Sequence, residues 1–210
     1  MISTKRYEVL NGLPPYGPMY VPFSPDEKPF YSEGYVVKFK KPNGDEWVGN
    51  FMPGWTYYNN VFELQKDNLV VVFSGGQGYV INVDQEKLIF AFGITINDVI
   101  QKDDGGLICS NDTHILIIDS ENGEIRQTER ISWDGIKDLK LVKNTLHGKS
   151  YDSTNDFRPW INFTLDLETN KISGGSFVEF LTKNQNLEVL ENGMLNEKKV
   201  SHKKPWWKIW

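Results

Sequence analysis

The sequence predicts an all-β, propeller-like repeat of about four to five sheet units, with an irregular β-sandwich as the alternative. Three observations predict it. Short β-branched and aromatic runs alternate with Gly- and Asn-containing corners, these corners recur at a spacing of about 40 residues, and long helical periodicities are scarce. Aromatic content of 13% and eighteen Gly suit half-buried pleated strands joined by many tight turns.

In chain order, residues 1–34 read as a Pro- and aromatic-rich N-terminal arm, 35–178 as the repeat body, and 179–210 as a C-terminal extension. All three belong to one expected domain, 1–210. The body opens with a faint copy of the unit over 35–49, marked by Asn43-Gly44, a strong hairpin signal. The clearest copy is Leu69-Val70-Val71-Val72-Phe73, then Ser74-Gly75-Gly76-Gln77-Gly78, then Tyr79-Val80-Ile81-Asn82-Val83. Further copies pair 106–109 with 115–118, and 145–148 with 160–165, the last interrupted by an insertion over 152–159. Ser74, Ser110 and Ser150 each follow a strand and are read as opening a polar turn. After the next strand comes an acidic corner. Asp119-Ser120-Glu121-Asn122-Gly123 matches Asp166-Leu167-Glu168-Thr169-Asn170, and Asp84-Gln85-Glu86 is read as the same corner shortened by two residues. Gly123 and Asn170 stand where such a corner needs positive φ, and the Asp side chain is suited to accept from backbone amides. Short helices are expected only within 94–104 and 180–200.

The runs Arg130-Ile131-Ser132-Trp133-Asp134-Gly135, His147-Gly148-Lys149-Ser150-Tyr151-Asp152 and Gly174-Gly175-Ser176-Phe177 give the chain a resemblance. Over 35–178 it resembles a family of uncharacterised bacterial β-repeat proteins. That resemblance implies a bacterial origin and a β-rich fold, and it implies no activity.

Several chemistries lack their residues. Ser74-Gly75-Gly76-Gln77-Gly78 has no following Lys and leads into a strand, so it reads as a turn rather than a phosphate loop. No Ser occupies a Gly-x-Ser-x-Gly elbow. His114, His147, His202 and the single Cys109 are too scattered for a metal site, and no calcium loop is present. No cofactor, metal or catalytic residue is expected. Asp134, Asp152 and Asp156 lie near Trp133, Tyr151 and Trp160, an acid–aromatic mixture suited to a carbohydrate-binding or carbohydrate-active site but equally to hairpin ends.

Net charge is −5, and residues 1–196 carry 18 basic and 27 acidic side chains, a net of −9. A body of that sign repels nucleic acid. The expected role is therefore a non-catalytic protein-binding module, of immunity or accessory type, for a basic partner. The alternatives are the carbohydrate site and a purely structural repeat. Candidate contact residues are Trp55, Tyr57 and Tyr58 on one polar–aromatic loop, with Trp133, Asp134, Tyr151, Asp152 and Trp160 on others. The Lys-rich tail with Trp206, Trp207 and Trp210 reads first as folding back on the acidic body and second as a peripheral membrane contact. Residues 1–8 lack an apolar run and no stretch reaches the roughly 18 apolar residues of a membrane span, so the cytoplasm is the expected compartment.

Overall fold

The computed structural model describes residues 5–17, 19–30, 32–65 and 68–182. Strands β1 (Tyr7–Leu10), β2 (Val21–Phe23), β3 (Tyr35–Lys40) and β4 (Glu46–Phe51) make the first sheet, in the order β1-β3-β4-β2. The second holds β5 (Asn60–Glu63), β6 (Leu69–Ser74), β7 (Gln77–Asn82) and β8 (Lys87–Phe92). The third holds β9 (Asp98–Gln101), β10 (Leu107–Ser110), β11 (Ile115–Ile118) and β12 (Ile125–Gln127). The fourth holds β13 (Ile136–Val142), β14 (Thr145–Tyr151), β15 (Trp160–Asp166) and β16 (Ile172–Gly174). The last three sheets are antiparallel meanders, so the architecture is propeller-like, with four sheet units among the described residues. Residues 1–178 form one compact unit and 179–210 a second; of the second only 179–182 are described, as helix. Trp206, Trp207 and Trp210 lie outside the described residues.

Burial explains the stacking. The second sheet is apolar on both faces: every residue of β6 and β7 is buried. Its Val70, Val72, Tyr79 and Ile81 pack with Phe23, Phe39, Trp47 and Phe51 of the first sheet. Val71, Phe73 and Val80 face Leu107, Cys109, Leu116 and Ile118 of the third. Ile108, Ile115 and Ile117 then meet Leu146, Phe163 and Leu165 of the fourth. Each core is thus shared by sheets adjacent in sequence, and continuous apolar runs mark the sheets covered on both sides. The fourth sheet instead alternates buried and accessible residues along β13, β14 and β15, as a sheet with one solvated face must.

The acidic corners share one geometry. Asp119 Oδ1 accepts from the amides of Glu121 and Asn122 at 2.8 and 3.2 Å, and Asp166 Oδ1 from those of Glu168 and Thr169 at 3.0 and 2.8 Å. Four residues on, Gly123 and Asn170 have φ of 73° and 58°. The second sheet corrects the sequence reading. Its corner is not shortened, because Asn82 rather than Asp84 takes the carboxylate's place, accepting from the Gln85 amide at 3.0 Å, and Glu86 supplies the positive φ of 55°. Asp84 instead pairs with Arg6 at 2.6 Å.

Two other expectations change. The N-terminal arm contributes β1 and β2 to the first sheet, and Pro22 is accommodated because β2 is an edge strand. Within 94–104 the structure has strand β9, not helix: residues 98–101 pair along the whole of β10, with Val99 packed on the second–third core. The first sheet is also out of phase with the rest. Phe51, at the end of β4, accepts from Ser74 Oγ at 2.9 Å, and Trp47, near its start, donates Nε1–H to Val83 O at 3.0 Å. β4 therefore runs opposite to the neighbouring β7, and its direction is that of the final strand in each later sheet.

Candidate functional site

All the candidate residues that the structure describes fall at one end of the stack, the end where the chain passes from sheet to sheet. The linkers 52–59, 93–97 and 128–135 meet there the turns after β6, β10 and β14. The first of these turns is a two-residue hairpin, with Ser74 opposite Gln77 and positive φ at Gly75 and Gly76 (54° and 82°). Absence of side chains lets the linker close on it. A Cβ on Gly76 would stand 2.4 Å from Thr56 Oγ1 and 2.6 Å from Ile96 O.

The 52–59 linker is consequently held along its length. Gly54 N donates to Ser74 O, Trp55 N to Ile94 O and Thr56 N to Gly75 O, each at 2.8–2.9 Å, while Tyr58 O accepts from Gly76 N at 2.9 Å. Thr56 Oγ donates to Ile96 O at 2.7 Å, and Asn59 Oδ1 accepts from Gly75 N at 2.7 Å. With its backbone so fixed, the loop presents Trp55 with 79% of its surface exposed and Tyr57 fully exposed. Tyr58 differs: its ring packs edge-on against Phe73 at 5.6 Å, and burial raises its phenol pKa. Met52 on the same linker and Ile94, whose carbonyl accepts from Trp55 N, are also exposed, and Phe157 on the 152–159 insertion is almost wholly so. The sequence reading did not single out these three. Met52 sits next to the aromatic run, but nothing in the sequence brings Ile94 to it.

The second candidate group is enclosed by its own neighbours. The Arg130 guanidinium lies over the Trp133 ring at 5.4 Å and Phe177 meets that ring edge-on at 4.8 Å. Lys137 Nζ stands 3.7 Å from the Trp160 centroid, and Tyr151 is T-shaped to Trp160 at 5.2 Å. Asp152 accepts from the amide and hydroxyl of Thr154 at 2.9 and 2.7 Å, closing the start of the insertion, whereas Asp134 is exposed. Between the groups, burial and the Asp134 charge raise the Asp112 pKa, and burial with the Arg130 charge lowers that of His114. Ser74 and Ser110 end β6 and β10 and Ser150 is the last residue but one of β14, so they stand at the turns as expected, but all three are fully buried. Their hydroxyls donate to Phe51 O, Asn97 Oδ1 and Ile161 O, tying each second strand to its surroundings. Cys109 is buried in the second–third core, where desolvation drives its thiol pKa upward and away from nucleophilic character.

Among the described residues no three His, Cys, Asp or Glu gather as metal ligands, and no helix is long and apolar enough to cross a membrane. What this end of the stack offers is a preformed, partly apolar surface centred on Trp55 and Tyr57.

No protein-family model and no curated protein sequence matches the chain. Solved structures do. The N-terminal domain of Nup159 is similar at 20% identity and a TM-score of 0.39, over 58% of this chain and 34% of that one. The extracellular domain of the one-component system BT4673 of B. thetaiotaomicron is similar at 10% identity and a TM-score of 0.41, over 67% and 23%. The Neurospora crassa Pan2 WD40 domain is similar at 12% identity and a TM-score of 0.38, over 69% and 49%. The chain spans less than half the length of each.

Proposed function

We propose that the chain is a non-catalytic protein-binding module whose contact surface is the linker end of the sheet stack, with Trp55 and Tyr57 as its anchors. One observation carries this reading: a large indole and a phenol stand in solvent on a loop whose backbone is already ordered by hydrogen bonds. Exposed Trp and Tyr dominate binding energy at interfaces, and a contact loop fixed in advance loses little conformational freedom on association. The net charge of −5 supports a basic partner, the role of an immunity or accessory factor, through faster and more selective encounter.

Affinity capture from cells of the source organism tests it, with wild type compared against Trp55→Ala/Tyr57→Ala. A basic protein recovered by wild type and depleted at least tenfold by the variant, at an unchanged melting temperature, is the expected result. Equal recovery by both proteins removes the loop from the contact surface.

A further inference from the structure

The solvated face of the fourth sheet gathers Lys137, Lys140, His147 and Lys149 on two neighbouring strands. Register places Lys137 directly opposite Lys149, and Lys140 directly opposite His147, on the β13–β14 pair. Like charges facing each other across strands weaken a sheet, so the Lys137–Lys149 juxtaposition adds nothing to strand pairing. Lys149 continues to Asn162 and His147 to Thr164 on β15, and these groups line an open hollow of about 440 Å³. A bulge between Lys137 and Lys140 interrupts the ladder at its rim.

On the first sheet, by contrast, Lys38 lies 2.7 Å from Glu8 of the adjoining strand, and Arg6, just before β1, lies 2.6 Å from Asp84. On this face Asp138 pairs with Lys149 at 2.8 Å, both side chains about half exposed, a contact of little net worth and open to exchange. Lys137 rests on Trp160, and Lys140 has no carboxylate partner among the described residues. Asp166, at the margin, directs its carboxylate to the amides of its own corner. The face is therefore locally cationic on a protein of net negative charge.

We propose that this face binds an acidic polypeptide segment in extended form, laid along β14. His147 and Lys149 project to the same side at the strand repeat of about 6.8 Å for alternate residues, which is also the spacing of carboxylates on every second residue of an extended acidic chain. Lys137 and Lys140 flank that line, and Asn162 and Thr164 supply neutral hydrogen-bonding groups. Single-stranded nucleic acid fits less well, since it needs open aromatic faces for base stacking. The indole on this face, Trp160, is already covered by Lys137 and met edge-on by Tyr151.

Fluorescence anisotropy of a labelled octaglutamate peptide with the full-length chain tests the proposal. Saturable binding is expected at 20 mM NaCl, weakened at least tenfold by Lys140→Glu/Lys149→Glu and by 300 mM NaCl. The neutral pair Lys140→Gln/Lys149→Gln should weaken it less, and Lys87→Glu on β8 should leave it unchanged. A fourth variant, Lys203→Ser/Lys204→Ser/Lys208→Ser, should retain binding. Absence of binding, indifference to the sheet substitutions in a protein that melts normally, or loss of binding with the tail lysines overturns the assignment. Equal or tighter binding of a labelled oligo-dT, lost with the same sheet lysines, replaces the acidic peptide with nucleic acid as the occupant.

Discussion

Two linkers in this molecule carry a tryptophan between consecutive sheets, and they handle it in opposite ways. In the 52–59 linker the backbone is tied to a glycine hairpin and the indole of Trp55 is left in water. In the 128–135 linker Arg130 folds back over Trp133, donating to the carbonyls of Ser132 and Trp133 at 2.9 and 2.8 Å, and Phe177 closes its edge. One linker invests its polar contacts in holding a loop still, the other in covering a ring. Residue type alone does not mark a binding surface. What marks it is an aromatic group without a covering neighbour on a backbone that is nonetheless ordered.

The sharpest way to break this contrast is at the hairpin. Gly76→Ala introduces a Cβ into Thr56 and the Ile96 carbonyl at a positive φ, and should destabilise the protein by about 3 kcal/mol while releasing the 52–59 linker. Urea unfolding measures the first effect and hydrogen exchange at residues 54–58 the second. Trp133→Ala removes the ring stacked under Arg130 and should cost about 2 kcal/mol by the same denaturant titration. A pH series addresses the ground between the linkers. Burial and Arg130 depress the His114 pKa, so its contribution to stability is complete above the ordinary value near 6.5 and is lost as pH falls through the folded-state value. Wild type should therefore lose more melting temperature than His114→Gln between pH 7.5 and pH 5. Smallest of all, Trp55→Ala and Tyr57→Ala should each shift stability by less than about 0.5 kcal/mol, since neither side chain is buried. A larger loss at Trp55 would mean that its ring is packed rather than presented.

The central hairpins were legible because their signals are local. Gly75-Gly76 and the Asp119 and Asp166 corners need only their own few residues, and each formed where expected. Edge strands were not, because three or four residues such as 21–23 become strand only when a partner lies alongside. β9 belongs to the same class: 98–101 is extended because β10 pairs with it, whatever its own preference. The serine period was visible but its meaning was not, since burial of Ser74, Ser110 and Ser150 depends on neighbouring strands. The aromatic cluster at 55–58 could be read directly, while its exposure required knowing which residues the linker folds against. The cationic face was hidden for a different reason. Lys137, Lys140, His147 and Lys149 converge only through a register that includes a bulge.

Because each core is shared by sheets adjacent in sequence, no segment of the body has to wait for a distant stretch of chain before it can be covered. The first sheet is complete in itself once Phe51 has left the ribosome, and each later sheet arrives as a single meander ready to settle on the one before. A nascent chain of this kind shelters its apolar strands in the order of translation, with at most one uncovered sheet face at a time. Chains released after residue 92 should accordingly hold a protease-resistant pair of sheets, and chains released after 127 a resistant three.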